Sequence, residues 1–232
     1  ISNANYWWIS ASAGCLMMSH VVRAWRWRYL LEPLKRGTAF RNLFAGVIIG
    51  YAVNNVLPRA GELARPFVIG KLERIPRSAA FGTIIVERII DIFSFLLLVA
   101  LLPLIYDGPL LDSFPWLQRA GIVLTAGTTA TLTVLVVLMM RRDWTDRLLM
   151  VAGWALPGRL SVKVDALVHG FLNGLLFLKH PANFAVIVLS SMAVWFLYIM
   201  VMYLAFFAFG LQGLGFRAAV AVQTISSIGV AI

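Results

Sequence analysis

Asn54-Asn55-Val56-Leu57-Pro58-Arg59-Ala60-Gly61-Glu62-Leu63-Ala64-Arg65 is the stretch whose reading decides the fold. It sets two Asn, two Arg and one Glu between apolar arms, residues 43–53 before it and 66–70 after it. The chain around it is 61% hydrophobic and 13% charged, with a mean hydropathy of +0.86. Soluble domains lie nearer half apolar and a quarter charged. A polar dozen in such a setting marks a polar site inside a membrane.

Several apolar runs reach the roughly 20 residues that cross a bilayer as helix. They do not alternate as the strands of a membrane barrel would. The composition therefore predicts an all-α polytopic membrane protein, a helical bundle of about five spans with the terminal ones cut short. The net charge of +10 fits membrane topology and anionic headgroups better than nucleic acid. A single cysteine, Cys15, excludes an internal disulfide and a cysteine-based metal cluster. The three His residues have no metal-ligand spacing. No cofactor or metal is expected.

Working outward, residues 43–57 reach only about 22 Å as helix, short of the roughly 30 Å hydrocarbon core. The segment 62–69 is shorter still. Basic residues flank both arms: Lys35, Arg36 and Arg41 before them, Lys71, Arg74 and Arg77 after them. A run that leaves the basic side, breaks and returns to it is a re-entrant helical hairpin, placed at 43–71. Broken backbone at membrane depth is tolerated only inside protein or beside a wet cavity. The alternative is two tilted full spans joined by an outer loop at 54–62.

The remaining segments frame this hairpin. Residues 4–30 predict a first helix, with Trp7 and Trp8 at one end and Trp25 and Trp27 at the other, an aromatic-belt pattern. Arg23, Arg26 and Arg28 at the second end read as interfacial anchors. Residues 78–106 form one long helix, followed by an acidic outer loop. Residues 116–140 return to a basic segment at 141–147. The apolar spacing of 161–179 suits an amphipathic helix lying in the interface. Residues 182–209 cross outward, 210–215 turn, and 217–232 start back. Of the 20 Lys and Arg, all but Arg59, Arg65, Arg88, Arg119 and Arg217 fall on the inner segments of this topology. The whole of 1–232 reads as one integral membrane domain. Its ends suggest further helices beyond them.

Six charges fall within the membrane on this topology: Arg59, Glu62, Arg65, Glu87, Arg88 and Asp91. A charge at a spanning helix's centre costs about 2.5–3.5 kcal/mol on insertion scales, so they should be paired. Glu87 and Asp91 share a helix face and repel each other. Arg59 or Arg65 from the hairpin is expected to pack against that face. One reading is that the charges only staple the hairpin to the helix. The other is a partly hydrated pocket for a charged headgroup, lined by Asn54, Asn55, Arg59, Gly61, Glu62, Arg65, Glu87, Arg88 and Asp91. On that reading Gly61 opens a half-helix whose amides face an anion, and the guanidinium groups bind phosphate in bidentate fashion. Gln223, Thr224, Ser226 and Ser227 read as interhelical hydrogen bonders. No nucleophile–base pair, P-loop or HExxH occurs, so no catalytic residue is assigned and no enzyme is expected.

At these residues the chain resembles the lysylphosphatidylglycerol synthase membrane region, the flippase-like domain family. The resemblance rests on Arg23-Ala-Trp-Arg-Trp-Arg-Tyr-Leu-Leu, on Asn54 to Arg65, and on Glu87-Arg88-Ile-Ile-Asp91, together spanning 23–91. It implies an inner-membrane, multi-pass protein that moves or handles lipids, and the positive-inside rule makes the basic loops cytoplasmic. It carries no synthase activity to this chain, because the soluble synthase domain is not present in these residues. The expected function is a lipid translocase for an anionic phospholipid or a polyprenyl-linked sugar lipid. The alternatives are a small-solute or ion transporter using the same pocket, or a non-transporting anchor subunit. Expected partners are membrane lipids, with a second copy, a synthase or a glycosyltransferase as protein partners, and no nucleic acid.

Overall fold

The computed structural model describes residues 5–105 and 181–231, with isolated helical positions between 123 and 133. Among the described residues the fold is entirely helical. The elements are α1 (Tyr6–Leu31), α2 (Phe40–Val56), α3 (Gly61–Glu73), α4 (Arg77–Ile105), α5 (Pro181–Ala208), a 3₁₀ turn (Gln212–Leu214) and α6 (Gly215–Ala231). Each bears out an element expected from the sequence to within a few residues. The expected loop at 107–115, the basic segment 141–147 and the interfacial helix at 161–179 lie outside the described residues. One described stretch, Ala185–Ala208, is long and apolar enough to cross a membrane by length and composition. Large apolar side chains such as Trp7, Val56, Leu189 and Phe196 are exposed, as a lipid-facing surface requires.

The chain divides into two compact units. The first comprises Ile1–Arg23, Asp91–Thr128 and Leu189–Ile232. Within it α1 and α5 run antiparallel: Asn5 N–H donates to the Ala208 carbonyl and Ser12 Oγ to that of Val201. Its core joins Leu102 of α4, Ile199 and Phe206 of α5, and the small run Ala218, Ala219, Val220 and Ala221 of α6. Gln223, Thr224 and Ser227 make hydrogen bonds inside α6, where interhelical ones were expected. The Thr224 and Ser227 hydroxyls reach the backbone one turn back, and Gln223 Nε2 donates forward to Ser227 Oγ.

The second unit comprises Ala24–Ile90 and Thr129–Val188. Its core gathers Trp27, Leu30 and Leu31 of α1, Leu43 and Val47 of α2, Ile69 of α3, and Ala80, Ile84 and Val86 of α4. Here α2 and α3 form the hairpin. A Cβ on Gly46 would meet Val68, one on Gly50 would meet Arg65, and Asn54 Oδ1 accepts from Gly61 N–H at 2.7 Å. The partner numbers fall as the first numbers rise, so the arms are antiparallel.

The hairpin is capped across both ends. At the tip, Asn54 takes the Gly61 amide. At the base, the buried Glu73 carboxylate accepts from Ala39 N–H (3.1 Å) and Asn42 Nδ2 (2.6 Å), capping α2 from the far end of α3. Lys35 Nζ also donates to it, at 2.6 Å. Burial alone would raise the Glu73 pKa. The Lys35 and Asn42 hydrogen bonds, the Ala39 amide and the Lys35 charge outweigh it and hold the carboxyl below its usual range. A carboxylate depressed by folding adds stability above its unfolded pKa of about 4.3 and loses it as pH falls through the folded value. Unfolding measured against pH in detergent should therefore show an acid limb below about pH 4.3. Glu73→Gln should flatten that limb and lower stability at neutral pH.

Candidate functional site

The tip is a tight turn. Ala60 N–H donates to the Leu57 carbonyl at 3.1 Å, Pro58 occupies the second position, and Arg59 the third with φ +67°. This is the signature of a type II turn, whose third position favours Gly or Asn. The exposed Arg59 occupies it instead, and a side-chain residue in the left-handed region costs about 1–2 kcal/mol. The α3 amides do not form an open anion cradle. Gly61 N–H is held by Asn54, Glu62 N–H by the Arg59 carbonyl (3.4 Å) and Leu63 N–H by that of Ala60 (3.1 Å). The role expected for the Gly61 amide is thus taken by the hairpin's own cap. Asn54 braces the turn, while Asn55 is exposed on it.

Below the tip, Gly50 and Gly61 let α2 and α3 touch closely enough for Arg65 to pass between them. A Cβ on Gly50 would lie 2.7 Å from Arg65 Cγ and 2.9 Å from Cδ. Arg65 then reaches α4 and grips Glu87 with two parallel hydrogen bonds, Nη1 to Oε1 at 3.2 Å and Nη2 to Oε2 at 2.8 Å. Such fork-to-fork pairs are the strong form of ion pair. The Arg65 guanidinium also lies 4.3 Å above the Trp27 ring.

Glu87 is fully buried and serves three guanidinium groups. Besides Arg65, Arg26 Nη2 lies 3.4 Å from its Oε1, and so does Arg88 Nη2. Arg88 turns outward to Glu62, with Nε 3.4 Å from Oε1. About a third of each of these two side chains is exposed, 35% and 37%. The described residues of this unit thus combine a buried floor, Arg26, Arg65 and Glu87, with an accessible pair, Arg88 and Glu62.

The expected contact between the hairpin and the Glu87/Asp91 face is present at Glu87. Arg65 takes Glu87. Asp91 belongs to the first unit, where Arg23 Nη1 donates to its Oδ2 at 3.1 Å and Arg23 Nε donates to the Tyr198 hydroxyl at 3.1 Å. Arg23 and Arg26 were expected at the interface as anchors. They are instead 6% and 0% exposed, each turned toward a buried carboxylate, Arg23 to Asp91 and Arg26 to Glu87. Trp27 is likewise buried, while Trp25 and Arg28 stay exposed. Arg23, Arg26, Trp27 and Leu30 recur at helical spacing, and that periodicity was the available signal.

A model of the family described as the lysylphosphatidylglycerol synthase TM region matches residues 1–232. The chain belongs to this family. It is accordingly a membrane protein. It is similar to the UPF0104 membrane protein MJ1595 of Methanocaldococcus jannaschii, with 37% identity over 79 residues, 33% of this chain and 24% of that protein. It is also similar to a UPF0104 membrane protein of Methanothermobacter thermautotrophicus, with 28% identity over 199 residues, 80% of this chain and 58% of that protein. The chain thus spans little more than half the length of the longer-matching relative. No solved structure matches.

Proposed function

We propose that this protein is a lipid translocase holding the phosphate of an anionic phospholipid or lipid-linked sugar at the guanidinium cluster beside the hairpin. The observation that carries the reading is the convergence of Arg26, Arg65 and Arg88 on the single buried carboxylate of Glu87. One bidentate arginine would suffice to neutralise a buried carboxylate. Arg26 and Arg88 bring two further guanidinium groups, each costly in a membrane, and among the described residues Glu62 offsets only one of them, so the cluster attracts an anion. Guanidinium groups are the side chains that bind phosphate through paired donors.

Two features support access. Arg88 and Glu62 are partly exposed and only 3.4 Å apart, so a phosphate can take Arg88 from Glu62. Arg59 keeps its charge at a turn position that disfavours it, and strain of this kind is commonly retained for function. The exposed apolar tip residues Val56 and Leu57 suit hydrocarbon surroundings. We therefore read the hairpin as re-entrant, entering from the side of Lys35, Lys71 and Arg74. That side is the cytoplasmic face of an inner membrane in a bundle of about five spans. On this reading the protein moves lipid and makes or breaks no covalent bond.

The test uses purified protein in liposomes bearing labelled lipids of several headgroup classes. Wild type should accelerate exchange between leaflets. Arg59→Gly should reduce that rate about tenfold through loss of a charged hydrogen bond to the lipid, and relief of the left-handed strain, about 1 kcal/mol, should limit the change in thermal stability. No exchange with any headgroup, with Arg59→Gly indistinguishable from wild type, would sink the proposal. Solute flux without lipid exchange would turn the same pocket into that of a small-solute or ion transporter.

A further inference from the structure

Arg65 is held on three sides. Its stem passes through the notch at Gly50, where any side chain would strike Cγ and Cδ. Its Nη1 and Nη2 grip Glu87. Its flat face lies on the Trp27 ring at 4.3 Å. Trp27 is itself fixed: Nε1–H donates to Thr83 Oγ1 at 3.0 Å, and Thr83 Oγ1 donates to the Ala80 carbonyl at 2.7 Å. Both Trp27 and Thr83 are fully buried.

Nη1 and Nη2 each spend one N–H on Glu87, and Nε is the Arg65 nitrogen left outside that grip. That atom is buried and makes no hydrogen bond among the described residues, although the Arg65 residue is only 4% exposed. A buried donor left unmade costs desolvation that one acceptor oxygen would recover. The acceptor favoured by a cation is anionic oxygen. We propose that Trp27 is a positioning residue, set by Thr83, that presents the Nε edge of Arg65 to a phosphate oxygen. This inference rests on the headgroup reading above and deepens it. The indole plane fixes the plane of the guanidinium, and that plane fixes where the oxygen must lie. Trp is the strongest aromatic partner for a cation, so a smaller ring without the Thr83 bond would let the guanidinium tilt.

The test is binding by the purified protein in detergent, read by titration calorimetry with dihexanoylphosphatidylglycerol, dihexanoylglycerol and inorganic phosphate as probes. Wild type should bind the phosphate-bearing lipid and not the neutral one. Trp27→Phe and Thr83→Val should each weaken binding about fivefold to tenfold, and Thr83→Ser, which keeps the hydroxyl, should restore it. Unfolding midpoints measured alongside should fall for Trp27→Phe, whose smaller ring leaves a void and an unmade bond at Thr83, so affinities are compared at a temperature where every variant is folded. Displacement of the lipid by inorganic phosphate supports recognition of the oxyanion alone. Selective binding of the lipid with no effect of phosphate supports recognition of an oxyanion carried on a tail. Unchanged affinity in folded Trp27→Phe and Thr83→Val overturns the positioning role, even if lipid exchange proceeds. Normal binding and a normal Trp27 effect without exchange leave this inference standing and remove the translocase reading.

Discussion

Glu87→Gln should cost about 3–5 kcal/mol of stability, the usual penalty for removing one partner of a buried ion pair. The amide is nearly isosteric with the carboxylate, so packing against α1 and α3 is kept and the loss is electrostatic. Three guanidinium groups, those of Arg26, Arg65 and Arg88, would then face a neutral group. Arg65 would exchange a charged two-point grip for a contact in which the amide NH₂ opposes one of its own donors. Against a total stability of order 5–15 kcal/mol, such a loss should appear as a large fall in the unfolding midpoint in detergent and in the yield of folded protein. Glu62→Gln provides the contrast. Its pair with Arg88 is partly exposed and 3.4 Å long, so its stability effect should stay below about 1 kcal/mol. Equal losses from the two substitutions would show that Glu87 is not the centre of the charge network.

The reason Glu87 stood out in the sequence, and Arg26 did not, lies in their neighbourhoods. Glu87, Arg88 and Asp91 interrupt a long apolar helix, where every charge demands an explanation. Arg26 lies between two tryptophans near a basic loop, and interfacial anchoring explains such a cluster without burial. Only the stripe formed by Arg23, Arg26, Trp27 and Leu30 distinguishes a buried face from an anchor, and the exposed Arg28 and Trp25 interleave with it. Asp91 shows the same limit from the other side. Its distance of four residues from Glu87 predicted a shared partner, yet Arg23 donates to it, and Arg23 is in turn held by the Tyr198 hydroxyl. Tyr198 is far away in sequence and carries no charge to draw attention. The hairpin was legible because Pro58, the Asn pair and Gly61 punctuate it. Its long-range caps were not, since Glu73 capping α2 depends on the antiparallel register of the two arms and not on local spacing.

That register makes Gly61→Ala the second large effect. The added Cβ would fall on the Gly50 carbonyl oxygen and lie 2.7 Å from Asn54 Oδ1. The first obstacle is backbone in the middle of α2 and cannot rotate away, so relief requires separating the arms. The second is the oxygen that caps the Gly61 amide, so separation also breaks the tip. The expected cost is about 3 kcal/mol, the upper end of the overpacking range, read as a lowered unfolding midpoint. Gly50→Ala should behave differently. Its nearest obstacles are Cγ and Cδ of Arg65, with the Gly61 carbonyl farther off at 3.3 Å. A side chain can yield where backbone cannot, so the hairpin should persist while Arg65 is displaced from Glu87 and Trp27. Stability should then fall as far as the lost Arg65–Glu87 pair dictates, toward the range expected for Glu87→Gln, while the tip bond between Asn54 and Gly61 is kept. Gly14→Ala is the control: nothing lies within 4 Å of its Cβ, and inside α1 Ala is the better helix former by about 1 kcal/mol. A Gly61→Ala protein as stable as the Gly14→Ala protein would mean that α2 and α3 do not meet at these two glycines.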